Sequence, residues 1–243
     1  MSIRSLRAAM SFLTVLPVAN ADGSPGERLG RAYFPAIGAL IGLAVAAVFA
    51  VMSAIATPLL AAAVAVGALC LLTGAIHLDG LADAVDGLLG KGDATRRLEV
   101  MRDPRLGSFG VTALVVVVVA DVAALASMSA ARALVALVIA GAVSRLTTLW
   151  IVALVPYVRE TGLGVAAWEP SHRATDLVIG TACAALACLL DWRRALLAAA
   201  VVAIATLILV AIARRRVGGA TGDVCGAAVE LGQLATLVVF AIR

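Results

Sequence analysis

The sequence predicts an all-α, polytopic integral membrane protein built as one helical bundle of about seven transmembrane helices. Composition is the first reason. Of 243 residues, 63% are hydrophobic and 14% charged, with a mean hydropathy of +1.08, whereas soluble domains carry about 25% charged residues. Second, apolar runs of about 20 residues, the length that crosses a bilayer, recur along the chain with polar stretches between them. Third, the basic residues sort to one side. With the N-terminus cytoplasmic, the inner loops hold Arg4 to Arg31, Lys91 to Arg105, Arg159, Arg173 and Arg214 to Arg216, and the outer side holds only Arg132, Arg193, Arg194 and Arg243. The net charge of +4 does not indicate nucleic acid, because the basic residues are spread over loops without interleaved aromatics.

Residues 1–33 form an N-terminal segment. Ile3, Leu6, Met10 and Leu13 share one face and Arg4, Arg7, Ser11 and Thr14 the other, as in a short interfacial helix ended by Pro17. A signal peptide is the rival reading, since Arg4 and Arg7 precede an apolar stretch and Ala19, Asn20 and Ala21 resemble a cleavage site. Ser11 and Thr14 interrupt a run that is already short, which argues against it. The expected spans are Phe34 to Ala56, Pro58 to Ile76, Phe109 to Ala130, Ala133 to Val155, the shorter Leu177 to Leu190, Ala195 to Ala213, and Gly226 to Ile242. Removing the short fifth span would place the Arg214 cluster outside, so charge asymmetry favours keeping it. Gly38 and Gly42 make a small-xxx-small pair suited to close helix approach. Asp121 and Arg145 lie within spans at similar depth, which suggests that they pair. Cys70, Cys183 and Cys188 fall in apolar runs and Cys225 stands alone, a pattern of packing residues without metal or disulfide spacing.

The chemistry concentrates in residues 77–108 of what reads as a single membrane-embedded catalytic domain, 1–243. It opens with HLDGLADAVDG, in which Asp79, Asp83 and Asp86 stand at i, i+4 and i+7. On a helix these share one face, within about 60°, and need a positive partner. Oxygen-only ligands favour Mg2+, or Mn2+, over Zn2+. A solvated acidic helix start would look similar, but few acidic residues are available here, and these lie against a membrane. His77 is a candidate base or a helix-end hydrogen-bonding group. Next comes GKGDATRRLEVMRDPRLGSFG, a helix from near Ala94 closed by Pro104, whose Lys91, Arg96, Arg97, Arg102 and Arg105 suit a phosphate or pyrophosphate. Surface charge at a membrane edge would give the same pattern. Gly107 and Gly110 allow close backbone approach to a ligand. In TGDVCGAAVELGQ, Thr221 or Asp223 is a helix N-cap, and Glu230 shares the face of Asp223, pointing to the same inner-side site or to a packing hydrogen bond. Two function classes fit: an enzyme transferring a phosphorylated group with a divalent metal, or a cation-coupled transporter. The chain shows no internal repeat and its polar residues gather at one face, which favours the enzyme.

These motifs, HLDGLADAVDG, RRLEVMRDPRLGSFG and TGDVCGAAVEL, with the opening FLTVLPV and the ERLGRAYFPAIGALIG lead into the first span, together resemble the cobalamin synthase family, the adenosylcobinamide-GDP ribazoletransferases. The match runs in order through nearly the whole chain. The resemblance implies a multi-pass enzyme of the cell inner membrane that joins α-ribazole, or its 5′-phosphate, to adenosylcobinamide-GDP, releases GMP and requires Mg2+. It further implies that Asp79, Asp83 and Asp86 hold the metal and that Lys91, Arg96, Arg97, Arg102 and Arg105, with Asp223 and Glu230, line the substrate site. Asp103 is then the first choice of proton acceptor and His77 the second. Ala84 stands where the family has threonine and Pro104 where it has serine; neither change removes a charge. The segment DAVDG at Asp83 to Gly87 also resembles the start of the CDP-alcohol phosphotransferase signature, whose remainder is missing. Lipid phosphotransfer is thus the alternative.

Overall fold

The computed structural model describes residues 2–18, 29–159, 165–168 and 172–242. Among these it is helical, without a β-strand. The helices are α1 (Ile3–Leu13), α2 (Phe34–Ile55), α3 (Pro58–Thr73), α4 (Ile76–Leu89), α5 (Ala94–Val100), α6 (Ser108–Ala126), α7 (Ala130–Leu154), α8 (Arg173–Cys188), α9 (Trp192–Val217) and α10 (Gly222–Ala241). Many large apolar side chains face outward, among them Leu71, Val119, Leu196 and Leu207. That arrangement suits lipid and would be costly in water.

The N-terminal segment forms the expected helix, but it ends at Leu13, Ile3 of the expected apolar face is 75% exposed, and Thr14 of the expected polar face is buried. Ser2 caps α1 by accepting from the Ser5 amide, Ala9 and Leu13 are buried, and Phe12 stacks on Phe34 with ring centroids 5.7 Å apart. The suggested cleavage site near Ala19 lies outside the described residues.

Glycines set the centre of the bundle. Gly38 and Gly42 of α2 lie against the Gly141 and Leu137 carbonyls of α7, so close that a Cβ on either glycine would overlap backbone. The small-xxx-small pair therefore does what its spacing suggests, with Gly141 as its counterpart on α7. A second close crossing joins α4 to α10, where Gly80 and Gly226 meet with room for little beyond hydrogen; a Cβ on Gly80 would sit 3.2 Å from the Cα atoms of Asp223 and Gly226.

By length and composition, five helical runs among the described residues can cross a membrane, or six if the bent pair α3 and α4 is one span. The expected seven is not confirmed. Two places account for the difference. Helix α3 ends in left-handed Gly74 and Ala75 (φ 60° and 56°), with the Ala75 amide donating to the Cys70 carbonyl at 2.9 Å, and α4 leaves at 89°. Further on, α8, a 3-10 turn (Leu189–Asp191) and α9 form one apolar stretch of 45 residues, broken where Asp191 leaves helical geometry and caps α9. Unbroken, that stretch would be about 68 Å long, more than twice the hydrocarbon core.

Candidate active site

Helix α4 places the acidic face. Asp79 is exposed and Asp83 and Asp86 are half-buried, as expected where a polar face meets solvent. The α4–α10 crossing at Gly80 brings a fourth carboxylate: Asp83 lies in the field of Asp79, Asp223 and Asp86, and of the Arg159 guanidinium. Asp223 stands in the first turn of α10, where Thr221 is the N-cap, accepting from the Val224 amide at 3.3 Å and donating its hydroxyl to Asp223 Oδ2 at 3.2 Å.

Arg159 is the group that sequence reasoning missed. Its Nη2 donates to Asp223 Oδ2 at 2.6 Å, and its Nε is buried without a hydrogen-bond partner. A parallel bridge between Tyr157 and Ala220 holds it there, through Val158 N to Ala220 O at 3.1 Å and Ala220 N to Pro156 O at 2.9 Å. The segment after α7 is thereby pinned to the turn before α10. Between Asp79, Asp83, Asp86 and Asp223 on one side and Arg159 on the other, negative charge is in excess.

Asp86 is fixed more firmly than its neighbours. Its Oδ2 accepts from the Gly107 amide at 2.8 Å and its Oδ1 from the Gly110 amide at 2.9 Å, at the start of α6. A helix N-terminus offers unpaired amides and a partial positive charge, and a carboxylate meets both. A Cβ on Gly107 or Gly110 would collide with that carboxylate. The two glycines do permit close approach, to Asp86 of the chain itself.

The basic segment divides into committed and open groups. Arg97 is buried and donates to the carbonyls of Gly87 (3.1 Å), Leu88 (2.8 Å) and Gly92 (3.0 Å), closing the C-terminus of α4. Arg96 pairs with Glu99 at 3.0 Å, both exposed. Arg105 makes a two-pronged contact with Asp103, at 2.9 and 2.7 Å, which holds the Asp103 carboxyl at about 2, below the usual range. Lys91 and Arg102 are exposed, and Arg102 acts electrostatically on Tyr157. Burial raises the Tyr157 phenol, with Arg159 opposing the rise and Asp223 adding to it.

Glu230 and His77 lie deeper, each 7% exposed. Glu230 sits in the field of Arg145 and Asp121, and His77 in that of Arg145, its Nδ1 without a partner. Asp121 and Arg145 do not pair with each other as their depth suggested. Asp121 accepts from Gln233 at 3.0 Å, and Arg145 donates to Ser144 at 3.0 Å. The structure therefore gathers Asp79, Asp83, Asp86 and Asp223 at one site and sets Glu230 in a separate interior cluster.

The donor set suits a hard divalent cation: oxygen ligands only, half-buried except for the exposed Asp79, in excess over positive charge. Among the described residues no three His, Cys, Asp or Glu side chains converge to hold an ion by themselves. Mg2+ does not demand this, since it commonly takes one or two protein carboxylates and completes its shell with substrate phosphates and water.

The family model described as cobalamin-5-phosphate synthase matches residues 5–241. The chain belongs to this family. Among its relatives, proteins named adenosylcobinamide-GDP ribazoletransferase are 37% identical in Bradyrhizobium diazoefficiens, over 98% of this chain and 94% of the relative. The corresponding figures are 37% over 98% of both chains in Stutzerimonas stutzeri, and 40% over 95% and 96% in Escherichia coli. No solved structure matches. The cobalamin-5-phosphate synthase match takes in every element of the site, from α4 through Arg159 to α10.

Proposed function

We propose that this member of the cobalamin-5-phosphate synthase family joins adenosylcobinamide-GDP to α-ribazole or α-ribazole 5′-phosphate and releases GMP, working from the cytoplasmic face of the cell inner membrane. The observation that carries the reading is the Arg159–Asp223 ion pair, set beside the aspartate face of α4 by the close α4–α10 crossing at Gly80. The N-terminus and the acidic segment lie on the inner side, where the basic loops concentrate.

In the reaction a ribazole hydroxyl attacks the phosphorus attached to cobinamide. The new P–O bond forms as the bond to the bridging oxygen breaks; that oxygen leaves on GMP and the hydroxyl proton passes to a base. Mg2+ held by one or two of Asp79, Asp83 and Asp86, with substrate oxygens and water completing its shell, would offset charge on the pyrophosphate and the departing GMP. Arg159 binds phosphate oxygens through its open Nε–H, with Arg102 and Lys91 supplying further positive charge. Arg97 supports α4, and the Arg96–Glu99 and Asp103–Arg105 pairs shape the segment around it. Asp103 is a poor proton acceptor because Arg105 occupies its carboxylate. That leaves His77, the second candidate, whose Nδ1 has no partner but whose ring is buried in the field of Arg145, to be tested in that role.

The test is cobamide synthesis by membranes carrying the protein, supplied with adenosylcobinamide-GDP, α-ribazole and Mg2+. Wild type forms product, chelator abolishes it, and Asp83→Asn and Asp86→Asn each lower kcat at least about a hundredfold, roughly 2.7 kcal/mol of transition-state stabilisation. His77→Asn costs more in kcat than Asp103→Asn. No product from wild type would overturn the function, and undiminished activity in chelator would overturn the metal.

A further inference from the structure

A cavity with no part in the reaction proposed above opens where the chain leaves α7. It is a cavity of about 360 Å³ at the C-terminal end of α7, lined by Leu154, Val155, Pro156, Tyr157, Trp168 and Arg173 among others. That volume falls in the range of small-molecule sites.

Its walls are built from fixed parts. Trp168 is buried and donates its indole N–H to the Val155 carbonyl at 2.9 Å, and Tyr157 packs on it with centroids 4.5 Å apart and planes 32° apart. Arg173 donates through Nη2 to the Trp168 carbonyl at 2.6 Å, while its Nε is buried and has no partner. An aromatic pair, with Tyr157 half-buried, and an unspent N–H donor therefore border one cavity. Its position links it to the chemistry. Tyr157 is two residues from Arg159 and is the residue whose bridge to Ala220 sets Arg159 against Asp223. It also lies in the field of Arg159, Asp223 and Arg102.

From this geometry we infer that the Tyr157–Trp168 cavity seats the planar heteroaromatic base of a nucleoside substrate, stacked on Tyr157, with Arg173 Nε–H donating to a ring nitrogen or carbonyl oxygen. The inference rests on the function proposed above, in which both substrates carry such a base: the benzimidazole of ribazole and the guanine of the departing nucleotide. The shared chemistry is a flat π-face with an acceptor at its edge, and stacking on an aromatic side chain contributes about tenfold or more to affinity. A base held here would place its sugar and phosphate toward Arg159 and the aspartates, because the cavity and the charged site share the Tyr157 segment. A lipid headgroup is the competing occupant, since Leu154 is 63% exposed on the outer surface of α7.

The test uses the full chain in lipid nanodiscs. KM and kcat are measured separately for α-ribazole and for adenosylcobinamide-GDP in wild type, Tyr157→Phe, Tyr157→Ala and Arg173→Gln. The expected result is a KM raised about tenfold for one nucleoside substrate in Tyr157→Ala, with kcat within about twofold and Tyr157→Phe near wild type. The substrate whose KM rises identifies the base. Arg173→Gln raises the same KM and serves if Tyr157→Ala does not fold. Unchanged KM values for both substrates in the folded variants would overturn the inference, as would an effect that follows the nanodisc lipid and not the nucleoside. In parallel, α-ribazole or GMP is titrated against tryptophan emission without the second substrate. Saturable quenching that Tyr157→Ala weakens supports the cavity even if no cobamide forms, so failure of the reaction and failure of the subsite can be told apart.

Discussion

Asp86 spends both carboxylate oxygens on the amides of Gly107 and Gly110, and so differs from Asp79 and Asp83 on the same helical face. Each oxygen keeps another lone pair for a cation, and the amides fix the plane in which it points. Gly110→Ala therefore disturbs the site without removing a charge. The new methyl runs into the Asp86 carboxylate and the Ala82 carbonyl. The expected outcome is a kcat at least tenfold lower, with stability reduced by about 1–3 kcal/mol, read by parallel kinetics and thermal unfolding; wild-type kcat would sink the claim that Asp86 needs this cradle. The spacing of Asp79, Asp83 and Asp86 was legible in the sequence because helical periodicity is a local property. Arg159 was not. Its partner Asp223 lies 64 residues on, and only the Tyr157–Ala220 bridge brings the two together. The Asp103–Arg105 pair was not legible either: an acidic residue among arginines does not show in the sequence which of them it will meet, and here it is Arg105, two residues away.

At the scale of elements, α4 is held at both ends by groups outside its own hydrogen-bond ladder. Its start follows the left-handed Gly74–Ala75 pair, a conformation that costs a non-glycine residue such as Ala75 about 1 kcal/mol. Its end is closed by Arg97, which reaches the Gly87 and Leu88 carbonyls. Arg97→Met keeps much of the bulk and loses the donors, leaving buried carbonyls unsatisfied. A destabilisation of about 1–3 kcal/mol is expected, together with faster amide exchange in the last turn of α4. If α4 exchanges as in wild type, Arg97 is not its cap. From sequence alone Arg97 reads like the other cations of the segment. A guanidinium that binds phosphate and one that binds carbonyls differ only in what folds against them.

Across the whole molecule, contact between helices depends on positions with almost no side chain. Gly38 and Gly42 on α2 and Gly141 on α7 let two long helices touch along their backbones, and Gly80 and Gly226 do the same for α4 and α10. Water provides no apolar driving force between helices in lipid, so close packing carries the association. Gly42→Val should separate α2 from α7 and lower thermal stability by several degrees in detergent, with kcat of the surviving folded fraction changed less than in Gly110→Ala. An unaltered melting profile would count against the crossing. The helical bundle and its small-residue pair were legible because hydropathy and glycine spacing are one-dimensional signals. The bend between α3 and α4, the joining of α8 to α9 and the partners of Asp121 and Arg145 were not, since each depends on where neighbouring backbones lie.

The link between Asp86 and the first amides of α6 gives the site a reporter that stands outside it. A cation that draws electron density from the Asp86 oxygens weakens the two hydrogen bonds they accept, so the amide resonances of Gly107 and Gly110 register occupancy directly. Two backbone protons, on glycines that take no part in the chemistry, thus serve as an internal titration indicator for the acidic cluster.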